Sequence, residues 1–294
     1  MVIVSPAWVR VVATTAAAGA VIALAGCAAE SEPAASGSEY PELIQKAVDA
    51  GELVVGTSVN APIAYIDSET NEVAGIDADI LREYLDRKGL TDSVPIRAET
   101  MDFSSLIPAL QSERIDFMVD SMFVTDERKQ VVSFTDTIFY NPEALIVPVG
   151  NPDDLSSLSD LCGRTAASYE GSAFLAQLQA ASEACDSDPI DIKTYPKVED
   201  VINDIAAGRL DAGLIDATVA AYGIDQNPDL GMELSEDYVP SDKTETAASN
   251  AVLPGNDDFI ADFNEVLAEM KSDGTLAEIL TANGLSPAEY FLDL

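Results

Sequence analysis

Histidine is absent from all 294 residues. Without an imidazole the chain cannot assemble a Ser-His-Asp or Cys-His catalytic set, and the usual zinc and haem sites lose their commonest ligand. Any catalysis would have to run on carboxylates, lysine or tyrosine. Cations are also scarce, with 15 Lys plus Arg against 52 Asp plus Glu and a net charge of −37, so nucleic acid and anionic lipid are poor partners. Cysteine occurs only three times, and two thiols left without histidine do not complete a zinc tetrahedron; neither a metal nor a cofactor is expected. The longest apolar run, Val11 to Ala25, falls short of the roughly 20 residues that a membrane-spanning helix needs.

That run follows a lone Arg10, precedes any acidic residue, and ends in Leu24-Ala25-Gly26-Cys27. The pattern is that of a secretion signal over residues 1–26. Its last four residues resemble the lipobox of bacterial lipoproteins, which implies that Cys27 becomes a lipidated N-terminus on the outer face of the cytoplasmic membrane. Removing the signal takes away one base and no acid, leaving 14 − 52 = −38. With Cys27 carrying lipid, Cys162 and Cys185 are an even pair in an oxidising compartment and read as a disulfide.

Residues 27–39 are small and polar without periodicity, as in a flexible tether. Beyond Tyr40, strand-like and helix-like segments alternate: ELVVGT, a polar hairpin YIDSETNEVAG, DADILREYLDRKG, SVPIRAE, DFSSLIPALQSE and IDFMVDSM. TDERKQVV reads as a helix with Thr125 at its N-cap. Such alternation predicts α/β architecture with doubly wound parallel sheets. LIPALQSERIDFMVDS (106–121) and VINDIAAGRLDAGLIDA (201–217) share one plan, an apolar helix, a base, then a buried strand ending in acid. Two lobes built alike would explain the echo: lobe 1 from residues 40–142, lobe 2 from 143–240, and a return to lobe 1 over 241–294, with two segments crossing between them.

The strand GELVVGT, then GIDADI, DFSSLIPAL, TDERKQVVSF, GNP, DLCGRTAASYEGS and GRLDAGLIDATVAAY, in this order and spacing, carry a resemblance over residues 40–294. The chain resembles the amino-acid family of extracellular solute-binding proteins, receptors of ABC importers related to the lysine/arginine/ornithine- and glutamine-binding proteins. The resemblance implies a two-lobed fold of the type II periplasmic-binding-protein kind, joined by two crossover strands. It also implies a small amine-bearing acid as ligand, ABC permease and ATPase subunits as partners, a monomer, and no enzymatic activity.

Site residues follow from the same resemblance. Arg128, in Thr-x-x-Arg, would take the ligand's α-carboxylate, for which its planar fork of donors is suited. Gly171 and Ser172, opening a helix, would add backbone donors, and Asp216, at a strand's carboxyl end, would take the α-ammonium. Phe103 would lie over the ligand side chain, with Ser121, Asn60 and Tyr169 completing the pocket. Three positions depart from the family pattern: Phe123 and Ala173 replace hydroxyl residues, and Asp120 replaces a small polar one. A new carboxylate beside a new ring favours a cation, because aromatic faces and acids both attract ammonium and guanidinium. A basic ligand is therefore expected over an acidic one. The alternatives are a dehydratase on the same fold, with Asp120 or Glu170 as acid, and a ligand sensor without a transporter.

Overall fold

A computed structural model describes residues 39–242 and 245–286. The signal segment, Cys27, the tether up to residue 38 and the last eight residues of the return segment lie outside the described residues.

Helix α1 (Glu42–Ala50) buries Leu43, Ile44 and Ala47 and stops at Gly51, whose positive φ of 77° lets its N–H cap Ala47 and Val48. It leads into β1 (Leu53–Thr57), followed by the antiparallel hairpin β2 (Tyr65–Ile66) and β3 (Val73–Ala74), helix α2 (Ile76–Arg87) and β4 (Ile96–Thr100). Helix α3 (Leu106–Gln111) then feeds β5 (Phe117–Phe123), a strand buried along its whole length. Short strands β6 (Ser133–Phe134) and β7 (Phe139–Tyr140) end the first passage through this lobe.

β8 (Glu143–Pro148) opens a second sheet, which continues with β9 (Thr165–Tyr169), α4 (Ala173–Glu183), β10 (Asp191–Tyr195) and α5 (Val198–Ala206). It closes with β11 (Ala212–Asp216), α6 (Ala217–Gln226) and β12 (Met232–Leu234). The chain then returns to the first sheet through β13 (Ala247–Val252) and finishes in α7 (Asp257–Asp273) and α8 (Thr275–Ala282).

The first sheet runs β4-β1-β5-β13-β6 and the second β10-β9-β11-β8-β12. Each is a parallel trio rather than a wholly parallel sheet, because β13 and β8 lie antiparallel to their neighbours. Both are the strands by which the chain arrives from the other lobe, so they enter against the direction set by the βαβ units. The sequence echo maps onto equivalent places: α3 feeds β5, α5 feeds β11, and each strand is the member of its parallel trio that pairs with the arriving strand.

Rings of Tyr84, Phe117, Phe259 and Phe263 fill the first core, with Phe117 edge-on to Phe259 at 5.4 Å. Leu178, Val201, Ile205 and Leu214 are buried in the second. Cys162 and Cys185 are bonded, tying the start of β9 to the end of α4. Segment TDERKQVV departs from its helical reading: only a single 3-10 turn, Arg128–Gln130, forms. Ser133 and Phe134 pair with β13, and this pairing draws the chain out into a strand before a helix can extend.

Candidate functional site

The carboxyl ends of the parallel strands face one another across the cleft between the lobes, the place where open α/β sheets present ligand-binding groups. β5 delivers Asp120 and Ser121 there, β9 delivers Tyr169, and β11 ends at Asp216. A small cavity of about 10 Å³ lies among Asn60, Phe103, Asp120, Tyr169 and Asp216, room for about one water. Phe123, Ser121, Arg128 and Ser172 also line it. Outward from Arg128, Phe103 and Ser172, the cleft widens into a cavity of about 680 Å³.

Asp120 is only 2% exposed. Its Oδ2 accepts the backbone N–H of Ser58, while Oδ1 has no hydrogen-bond partner among the described residues. Burial pushes this carboxyl up to about 8, opposed by the Ser58 bond and reinforced by the charges of Asp77 and Asp216. Beside it, Ser121 is pinned to Asp77 of α2: its N–H donates to Oδ2 at 2.7 Å and its hydroxyl to Oδ1 at 2.6 Å. Burial raises Asp77 to about 7 against those two bonds. The Ser121 hydroxyl is thus spent on holding the strand end rather than free in the pocket.

Asp216 is 5% exposed and held at both oxygens. Asn141 Nδ2 donates to Oδ1 at 2.9 Å and the Tyr169 hydroxyl to Oδ2 at 2.7 Å. Burial lifts it to about 6, opposed first by the Tyr169 bond and then by its own backbone N–H and the Arg128 charge. Two buried carboxyls, Asp120 and Asp216, therefore line one cavity with one guanidinium. Retention of a proton relieves that excess of acid in the unliganded protein, and an added cation would favour the ionised form instead.

Arg128 bridges the lobes. Its Nη1 donates to the Phe123 carbonyl at 2.8 Å and its Nη2 to the Gly171 carbonyl at 3.0 Å. Its guanidinium lies over the Phe103 ring, 5.3 Å from the centroid. Among the described residues no carboxylate comes within ion-pair distance of it. Thr125 Oγ1 accepts the Arg128 N–H at 3.2 Å, so the threonine steadies a turn rather than capping a helix. Gly171 has a positive φ of 79°, and a Cβ there would meet the Ser104 backbone of the other lobe at 3.2 Å. Only glycine permits both the conformation and the approach.

The Ser172 side chain caps α4 by accepting from Leu175 N–H at 3.1 Å, while its own N–H is directed to the Tyr169 carbonyl at 3.3 Å. That N–H is thereby engaged within the lobe. Asn60 Nδ2 donates to the Ser58 hydroxyl at 2.9 Å and lines the same cavity as Asp120. Two ring pairs cross the cleft edge-on: Phe103 with Tyr169 at 5.4 Å, and Phe123 with Phe174 at 5.1 Å. Glu170 is exposed and does not line the cavity.

Asp77, Asn141 and Phe174 escaped the sequence reading. Asp77 carried a legible signal, an acid between Ile76 and Ala78 on the apolar face of a helix. Neither Asn141 nor Phe174 stood out by residue type or spacing. Among the described residues no His, Cys, Asp and Glu cluster is set to hold a metal, and no helix is long and apolar enough to cross a membrane.

Residues 53–284 match the model of a family described as bacterial extracellular solute-binding proteins, family 3. The lysine/arginine/ornithine-binding periplasmic protein of Escherichia coli (strain K12) is 29% identical over 263 residues, covering 87% of this chain and 92% of that one. The arginine-binding extracellular protein ArtP of Bacillus subtilis (strain 168) is 28% identical over 228 residues, 77% of this chain and 84% of its own. Among solved structures, an ancestral arginine-binding protein bound to arginine superposes with a TM-score of 0.71 at 29% identity, covering 80% of this chain and 99% of that one.

Proposed function

We propose, for a chain that belongs to the bacterial extracellular solute-binding proteins of family 3 and is therefore an extracytoplasmic receptor rather than an enzyme, that the amino acid it captures is a basic one. The observation that carries this reading is the buried, unpartnered Oδ1 of Asp120 in a cavity already holding Asp216. Ionising a buried carboxyl without a partner is costly, which is why burial pushes Asp120 up, and an ammonium or guanidinium within reach offsets that cost. Relatives named for arginine, and for lysine, arginine and ornithine, lend further support.

In this reading the lobes part and close again on the ligand. Arg128 exchanges the Gly171 carbonyl for the ligand's α-carboxylate, and Asp216 takes the α-ammonium. Asp120 pairs with the side-chain cation, flanked by the faces of Phe103 and Phe123. Asn60, Ser121, Tyr169, Gly171 and Ser172 shape the surrounding wall. The loaded receptor, a monomer held to the outer face of the cytoplasmic membrane by lipid on Cys27, delivers its ligand to an ABC permease and ATPase.

A thermal-shift panel of lysine, arginine, ornithine, glutamine, glutamate and aspartate tests the ligand. Stabilisation by glutamate but by none of the bases would refute the reading. Membrane retention of a Cys27→Ser protein through a carbonate wash would refute the anchor.

A further inference from the structure

The seat assigned above to the ligand's α-ammonium is filled from within the chain. Tyr169 and Asp216, 47 residues apart in sequence, meet at the ends of β9 and β11, and the phenol donates to Oδ2 at 2.7 Å. Both are buried, at 3% and 5% exposure. Asn141 occupies the other oxygen at 2.9 Å. Burial and the Asp216 charge push the phenol well above its ordinary value, so it is a neutral donor there.

A phenolic O–H and an ammonium N–H offer the same thing to a carboxylate, one proton along one lone pair at nearly the same distance. The Tyr169 ring lies against Phe103 at 5.4 Å and Phe174 at 6.1 Å, and the wider part of the cleft, about 680 Å³, begins at Phe103, Ser172 and Ala173. The Tyr169 ring is packed between Phe103 of one lobe and Phe174 of the other and does not itself line that wider part, so displacement of its hydroxyl goes with the parting of the lobes. We propose that the Tyr169 hydroxyl is an internal stand-in for the ligand's ammonium, so that the receptor captures its ligand by exchange and Tyr169 determines how much affinity the α-amine contributes.

This rests on the basic-amino-acid reading and extends it to a specificity-determining residue. Compounds lacking the α-amine cannot replace the phenol and leave Tyr169 on Asp216. Amine-bearing ligands must first break a hydrogen bond to a charged group. In a Tyr169→Phe protein that bond is gone before binding begins, Asp216 is left short of a donor, and an ammonium gains accordingly.

Calorimetry on the purified wild-type and Tyr169→Phe proteins, titrated with L-arginine and with the arginine analogue lacking the α-amine, tests the exchange. The variant is expected to bind arginine about tenfold more tightly, with its affinity for the analogue, or lack of it, unchanged. Equal changes toward both compounds would mean that Tyr169 only packs the site and would overturn the inference. Unchanged or weaker arginine binding would overturn it as well, showing that phenol and ammonium share Asp216. If the wild type binds neither arginine nor lysine, the basic-ligand reading falls first and takes this one with it.

Discussion

Replacing Asp120 by asparagine keeps an acceptor for the Ser58 N–H and removes a group that titrates. In the folded chain burial pushes the Asp120 carboxyl from its ordinary 3.8 up to about 8. Between those values the folded protein retains a proton that the unfolded chain releases, so stability falls as pH rises, by about 1.4 kcal/mol per pH unit. From pH 4 to 7 that amounts to at most roughly 4 kcal/mol; relaxation and water entry around a buried charge reduce it to about 2 kcal/mol. Asp120→Asn should therefore melt about 4–8 °C above wild type at pH 7 and level with it near pH 4. The ligand reverses the sign. A bound guanidinium favours the ionised carboxylate, so wild-type affinity for arginine should rise from pH 6 to 8, whereas the variant should bind arginine about 30-fold more weakly at pH 8. Thermal melts across that range together with calorimetry read both effects. Parallel melting curves for the two proteins, or undiminished arginine affinity in the variant, would refute the argument that Asp120 is a buried acid waiting for a cation.

Arg128→Ala removes the guanidinium that spans from Phe123 to Gly171; binding should weaken by about 30-fold to several thousand-fold, and calorimetry giving wild-type affinity would show that the carboxylate binds elsewhere. Gly171→Ala places a Cβ 3.2 Å from Ser104 at a positive φ, so the lobes should be held apart and small-angle scattering should report a larger radius of gyration with saturating ligand than wild type shows. Changing Cys162 and Cys185 together to serine opens a loop spanning 23 residues, worth about 3 kcal/mol in the chain-entropy model; two reactive thiols in unreduced wild-type protein would contradict the bond.

Much of the fold was legible because its signals are local. Leu43, Ile44 and Ala47 repeat at helical spacing, β5 and β11 are short apolar runs between a helix and an acid, and the repeated helix-strand plan marks equivalent places in two lobes. Cys162 with Cys185 was legible from parity and compartment, whereas Arg128 was singled out only through the Thr-x-x-Arg that carries the family resemblance. The helix read over TDERKQVV failed because Ser133 and Phe134 pair with β13, more than a hundred residues onward, and no local propensity reports such a partner.

Which oxygen of which acid is left over is a different kind of fact. Ser58 reaches Asp120 across 62 residues, Tyr169 reaches Asp216 across 47, and Asn141 across 75. Each bond removes one lone pair from the pocket, and only the sum leaves Asp120 Oδ1 alone. The pairing of Phe123 with Phe174 likewise joins side chains from opposite lobes. Periodicity, capping and turn chemistry act over a few residues, so the sequence by itself determined the elements, their order and the kinds of side chain at the strand ends. Hydrogen-bond partnership depends on which sequence-distant strands a sheet sets side by side, whereas burial and the Arg128 bridge depend on how the two sheets face each other. For that reason the free acid, the occupied acid and the bridging arginine were decided only in the tertiary structure.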